Sequence, residues 1–213
     1  MKKIQLLIVL FFLTSNLKAQ ELYMSSGKNS TSFNFESTNG TSEKLAFRKG
    51  LGSNLEIGYK YNLKNNLFIY AIGLSYNEFN AEASHFATNY SWKTKYIGVI
   101  NKMSYNLSGA STTCYFGLDI NTFINIGFNA AKLISGSQFI NNFYYDLTTQ
   151  EEFSGILLQP FIGLSAQYIV TRNFKLSLGY NFSKSFNLLN KATEKTSFHT
   201  SQFQLGFQVS LLR

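Results

Sequence analysis

Gln202-Phe203-Gln204-Leu205-Gly206-Phe207-Gln208-Val209-Ser210-Leu211 closes a chain of 213 residues with strict alternation. Phe203, Leu205, Phe207, Val209 and Leu211 make one row. Gln202, Gln204, Gly206, Gln208 and Ser210 make the other. A period of two sends successive side chains to opposite faces of a strand. One face here is apolar, and the other is built from amides and small residues. A soluble sheet normally turns its apolar row toward a core and charges toward water. This stretch has almost no charge to turn outward.

The same pattern recurs upstream. Phe174, Leu176, Leu178, Tyr180 and Phe182 oppose Lys175, Ser177, Gly179, Asn181 and Ser183. Ile162, Leu164, Ala166 and Tyr168 oppose Gly163, Ser165 and Gln167. Phe116, Leu118 and Ile120 alternate with Gly117, Asp119 and Asn121. Phe68, Tyr70, Ile72, Leu74 and Tyr76 follow Leu55, Ile57, Tyr59 and Tyr61 across the turn Lys64-Asn65-Asn66. The pattern predicts eight strands of the length a tilted membrane strand needs: 28–37, 53–63, 67–80, 90–106, 113–127, 156–170, 174–187 and 198–212. The fourth changes phase around Asn101 and Lys102.

Short connections at 64–66, 107–112 and 171–173 alternate with longer ones at 38–52, 81–89, 128–155 and 188–197. That is the asymmetry of an up-and-down membrane barrel, with short turns at one end and longer loops at the other. The stretch Gln138-Phe139-Ile140-Asn141-Asn142-Phe143-Tyr144-Tyr145 inside the longest connection is itself strand-like and predicts a protruding hairpin. The expected fold class is all-β: an eight-stranded antiparallel up-and-down transmembrane β-barrel. Its lumen should be just wide enough for side chains to fill. Tyr59, Tyr61, Tyr70, Tyr76, Tyr96, Tyr168 and Tyr180 are expected in the aromatic girdles.

Composition agrees. Aromatics are 16% of the chain and charged residues 14%, against about 25% charged in an ordinary globular domain. A soluble lipocalin-like barrel is the rival fold; it would carry an apolar interior and gives no reason for the alternation of short and long connections.

The front end reads as a secretory signal peptide helix over 1–19, ahead of a barrel domain over 20–213. Lys2 and Lys3 precede an apolar run from Ile4 to Leu13, too short to span a bilayer. Cleavage is expected between Ala19 and Gln20, with Leu17 larger than ideal two positions earlier. Loss of Lys2, Lys3 and Lys18 lowers the net charge from +8 to +5. The remaining cations are dispersed, so no nucleic-acid footprint is expected. The lone Cys114 rules out an intrachain disulfide framework.

In the last strand Gln204, Gly206, Val209 and Leu211 match the spacing read by the barrel assembly machinery, with aliphatic instead of aromatic final positions and Leu212-Arg213 beyond them. Together these features resemble the outer-membrane protein β-barrel domain family of Gram-negative bacteria, in particular the small OmpX or OmpA-transmembrane type. The resemblance covers nearly all of the mature chain. It implies an integral outer-membrane location with both termini periplasmic. The implied partners are outer-membrane lipid, lipopolysaccharide and, during biogenesis, the assembly machinery, with a monomeric barrel.

For chemistry the sequence offers little. Glu56, Lys60, Asp119 and Lys175 fall on polar rows and are expected in the lumen, as ion pairs that plug it or as part of a narrow channel. His199 and Ser201 share a strand face, as in certain outer-membrane lipid A deacylases, but no acid follows Ser201 to orient the histidine. His85 is alone, and no metal or cofactor is expected. The leading expectation is a non-enzymatic barrel with structural or surface-interaction roles in its outer loops. A narrow channel or secretion accessory is the alternative, and a lipid-modifying enzyme the third.

Overall fold

The structure, a computed structural model, describes residues 20–36, 46–63, 67–85, 88–109, 113–115, 118–141, 143–150, 153, 155–188 and 195–211. The predicted signal peptide and Ala19, the turn Lys64-Asn65-Asn66, Phe116, Gly117 and Leu212-Arg213 lie outside the described residues.

Among the described residues ten strands form: β1 (Gln20–Glu36), β2 (Ala46–Leu63), β3 (Phe68–His85), β4 (Thr88–Asn106), β5 (Thr113–Tyr115), β6 (Leu118–Ile140), β7 (Phe143–Asp146), β8 (Ile156–Ile169), β9 (Phe174–Leu188) and β10 (Lys195–Ser210). Eight close a ring. The antiparallel order β4-β3-β2-β1-β10-β9-β8-β6 is completed by pairing of β4 with β6. β5 and β7 are short additions to β6. Closure at β1 and β10 is continuous from Glu21↔Ser210 to Glu36↔Lys195. Both ends of the barrel chain therefore lie at one end, the turn end. The hairpins β1–β2, β3–β4, β6–β8 and β9–β10 meet at the other, the loop end.

The rows sort as the alternation requires. Leu55, Ile57, Leu74, Val99, Ile126, Leu164, Leu178 and Leu205 are exposed on the outer wall. Asn54, Glu56, Ser75, Asn77, Asn125, Asn129, Gln167, Asn181, Gln202, Gln204 and Gln208 are buried inside. The exposed apolar row of β10 runs from Phe203 to Leu211. At about 3.3 Å per residue and a tilt near 40°, it covers roughly 20 Å along the axis, close to the ~25 Å apolar band of outer-membrane barrels.

Several sequence expectations are corrected. The first strand starts at Gln20, not at 28. Leu22, Met24 and Ser26 continue its outer row, but Glu21 and Tyr23 on the inner row obscured the alternation. The predicted 113–127 strand is split, with β5 folding back on the start of β6 through Thr113↔Ile120. The long connections are largely strand. β3 and β4 run on to His85↔Thr88, so the connection expected at 81–89 shrinks to two residues. The asymmetry survives as strand extension past the apolar band. There the outer row turns polar while the ladder of backbone hydrogen bonds continues.

The irregular phase at Asn101 and Lys102 also resolves. Trp92, Thr94, Tyr96, Ile100 and Ser104 of β4 are buried inside the barrel, and Lys102 shares their inward parity. Asn101 faces out with Tyr70, whose hydroxyl donates to Asn101 Oδ1 at 2.7 Å. That bond satisfies a polar side chain on the apolar wall. Tyr96 is therefore no girdle residue: it is 1% exposed and packs on Phe79 and Phe198. Tyr59, Tyr168 and Tyr180 do stand exposed on the outer wall.

Inside, a large ring needs a gap opposite it. Tyr23 lies in register with Gly58, and Gly58 with Gly73. A Cβ on Gly73 would stand 2.9 Å from the Tyr23 hydroxyl and 2.5 Å from the carbonyl oxygen of Ile57. Gly73→Val should displace Tyr23 and lower unfolding stability by about 1–3 kcal/mol, the usual cost of overpacking. Urea titration of the barrel folded into vesicles measures this; an unchanged midpoint would show that Tyr23 does not occupy that gap.

Candidate functional site

The lumen is stratified into three layers. Toward the turn end lie charges. Lys102 Nζ sits 3.3 Å from Glu56 Oε2, and Lys175 Nζ 2.5 Å from Glu21 Oε1. Glu56 Oε1 also accepts from Gln204 Nε2 at 2.6 Å. Lys60 and Lys102 both lie over the ring of Tyr23, at 5.2 and 5.3 Å from its centroid. Such an arrangement attracts the cations to the negative face of the ring. On the lipid face near the midplane each lysine would cost about 2–4 kcal/mol, so inward parity is where the fold tolerates them.

The middle layer is a web of amides. Asn54 Nδ2 donates to Asn29 Oδ1 at 2.7 Å, and Gln204 Nε2 to Asn54 Oδ1 at 3.1 Å. Gln202 Nε2 reaches Asn77 Oδ1 at 3.0 Å, and Asn181 Nδ2 reaches Gln204 Oε1 at 3.1 Å. Ser75 Oγ of β3 donates past β4 to Asn129 Oδ1 of β6 at 2.8 Å, and Gln159 Nε2 of β8 to Ser183 Oγ of the neighbouring β9 at 2.8 Å. Gln167 Nε2 donates to Gln208 Oε1 at 2.7 Å nearer the turn end. An amide carries both donors and an acceptor, so side chains of neighbouring strands bond one another here, with Asn181 Oδ1 left without a partner.

The loop-end layer is apolar, which the small polar rows did not forecast. Phe33, Phe79, Trp92, Tyr96 and Phe198 pack there with Ala81, Ala83 and Ala131. Phe33 stacks on Phe198 at 4.3 Å. Leu157 of β8 joins the cluster from the wall, and Leu147 and Phe153 from the segment between β7 and β8. Leu147 is carried by a short 3-10 turn, Leu147–Thr149, capped by Asp146, whose Oδ1 accepts from the Thr148 amide at 2.9 Å and its hydroxyl at 2.7 Å. Those two bonds hold the Asp146 carboxyl below the usual carboxylate range. The cap is thus complete above that range and weakens as pH falls through it.

The structure brings Glu56, Lys60 and Lys175 into one part of the lumen. Asp119 has the same inward parity and stands exposed near the turn end. Glu21, Tyr23 and Lys102 complete the site and were missed. Glu21 and Tyr23 precede the predicted first strand, and Lys102 sat in the irregular phase. Gln204 of the predicted assembly signal is buried inside, while Leu211 is exposed outside. His199 and Ser201 face outward. The strand neighbours of His199 are Ser32 and Lys184, and those of Ser201 are Ser30 and Phe182, so the register sets no carboxylate beside the pair. Among the described residues no group of three His, Cys, Asp or Glu side chains is placed to hold a metal ion.

No family model matches the chain, and no curated protein matches it. Among solved structures the chain is similar to Neisserial surface protein A, at 14% identity and TM-score 0.48, covering 89% of this chain and 97% of that one. It is similar to the outer membrane protein OprG from Pseudomonas aeruginosa, at 11% identity and TM-score 0.49, covering 92% and 98%. It is also similar to the outer membrane protease OmpT from Escherichia coli, at 9% identity and TM-score 0.42, covering 92% and 98%.

Two outcomes follow from the layers. Glu56→Ala strands Lys102 and removes one of the two acceptors of Gln204 Nε2. It should cost about 3–5 kcal/mol, the range for breaking a buried pair, and the double variant Glu56→Gln/Lys102→Met should recover much of that in the same urea titration. Phe198→Ala should cost a similar ~3–5 kcal/mol by hollowing the plug; a loss below about 1 kcal/mol would mean that the plug is not packed.

Proposed function

We propose that the mature chain is a monomeric, non-enzymatic outer-membrane barrel. Its turn end faces the periplasm, and its loop end presents a surface for contact outside the cell. The observation that carries this reading is the asymmetry of the outer wall. Past the apolar band at the loop end, Lys28, Lys93, Lys95, Lys132 and Lys184 stand exposed on four strands. A row of cations at that height suits the phosphates of lipopolysaccharide in the outer leaflet, through the same attraction that draws basic residues to any anionic membrane surface. Beyond it the hairpin of β6 and β7 carries Phe139, Phe143, Tyr144 and Tyr145, with Phe143 70% and Tyr144 62% exposed. Aromatics left in water in such a cluster mark contact surfaces.

The aromatic plug speaks against the narrow-channel alternative, because the lumen is filled at the loop end by packed rings. The outward placement of His199 and Ser201, without an adjacent acid, speaks against the lipid-modifying alternative. The match of Gln204, Gly206, Val209 and Leu211 to the assembly signal supports delivery by the barrel assembly machinery.

Surface proteolysis of intact cells tests the orientation. Cleavage is expected around Tyr144–Gln150 and not around Arg172 until the outer membrane is opened; the reverse pattern would overturn it. Boiled and unboiled samples should migrate differently on gels, and planar bilayers should show no steady conductance. A mature chain that is soluble without detergent would sink the membrane reading altogether. Phe143→Ser/Tyr144→Ser should leave folding intact and reduce cell–cell or cell–surface adhesion at least several-fold if the hairpin is the contact surface.

A further inference from the structure

Pro160 has no N–H to give to a ladder, and the pairing of β8 with β9 skips residues 159 and 160 while keeping the same register on either side, at Leu158↔Phe186 and Phe161↔Ser183. At that break a groove of about 500 Å³ opens on the outer wall. Its floor is apolar, with Ile126 of β6, Pro160 and Ile162 of β8 and Phe182 of β9. Its rim is polar. Lys184, His199 and Ser32 stand in one cross-strand row, and Ser201 and Ser30 stand in the next row toward the turn end. Exposed Lys49 of β2 completes the rim. Among the described residues that line the groove none is acidic. Elsewhere in the cation row the lysines have nearer company: Lys95 faces Glu78 at 3.8 Å, and Lys28 donates to Ser53 Oγ at 3.2 Å.

We propose that this groove binds one lipid A molecule of the outer leaflet. An acyl chain covers the floor, where it meets Ile162 and Phe182. A sugar-linked phosphate sits on the rim between Lys184, His199 and Lys49, and the serine hydroxyls meet the remaining phosphate and sugar oxygens. The charge of the rim selects this headgroup. A phosphate monoester carries about −1.5 to −2 at neutral pH, so it draws on more than one cation, whereas the phosphodiester of an ordinary phospholipid carries a single charge. Lysine serves such a group as a point charge, and the attraction adds to that of the anionic surface as a whole. The inference rests on the proposed orientation, which sets the loop end in the outer leaflet, and it gives the general cation row a single defined site.

Native mass spectrometry of the detergent-folded mature chain tests it, with three lipids titrated in turn: bis-phosphorylated lipid A, the same lipid A stripped of its phosphates, and phosphatidylglycerol. A one-to-one adduct is expected with the first, at least roughly tenfold tighter than with the other two. Lys184→Ser/His199→Ser should weaken it by at least roughly tenfold, and Lys93→Ser, on the outer wall away from the groove, by less than about twofold. Heat-modifiable migration checks that each variant folds; should the double variant fail, Lys49→Ser alone should weaken the adduct several-fold. Equal losses in Lys93→Ser and in the groove variants would mean diffuse attraction and overturn the proposal. Equal binding of phosphatidylglycerol or of dephosphorylated lipid A, or no defined adduct, would overturn it as well. Surface proteolysis reports the orientation separately, so absent binding with the expected cleavage pattern overturns the site alone.

Discussion

A backbone amide in hydrocarbon has no water to fall back on, and every feature of this chain follows from that constraint. Each unpaired polar group there costs several kcal/mol, which leaves only helices and closed sheets as spanning structures. Among the described residues no helix is long and apolar enough to cross a membrane. The sheet closes instead, with β1 joined to β10 on one side and to β2 on the other. Closure makes the outer wall free to be apolar. It also forces every second residue into a lumen too narrow to be filled with bulk water.

What fills that lumen is set by the same parity. The inner rows bring charges, amides and aromatic rings to successive levels, so the interior is a stack with different chemistry at each height. The amide layer supplies specificity: every member has a fixed partner, and a slip of one residue would put Asn54 or Gln204 against lipid. The aromatic layer supplies dispersion and seals one end. The charged layer holds its lysines by pairing, Lys102 with Glu56 and Lys175 with Glu21. Gly58 and Gly73 belong to this logic, because the ring of Tyr23 fits only where two neighbouring strands lack side chains.

The fold was legible because period-two alternation is a direct imprint of a wall with two faces. The rows 174–183 and 203–211 carry it so cleanly that their sides are read without error. Strand limits were less legible. An extended strand past the membrane loses its apolar row, and His85 and Thr88 look like loop residues although their backbones pair. The site was half legible. Glu56, Lys60 and Lys175 stood out as charges on polar rows, but parity does not say how deep a residue lies, so Asp119 was grouped with them. Lys102 was hidden by Asn101, whose outward amide is explained by the Tyr70 hydroxyl and by nothing in the local pattern. The aromatic plug was invisible because Phe33, Phe79 and Phe198 are apolar residues on inner rows, where apolar character signals packing across the lumen and not contact with lipid.

Amide hydrogen exchange across the β1–β10 seam tests closure most directly. In detergent-folded mature chain, Met24–Ser30 and Ser201–Phe207 should exchange as slowly as the β3–β4 ladder at Ile72–Tyr76. Fast exchange along both seam strands, with β3 and β4 protected, would mean an open sheet and would contradict the account.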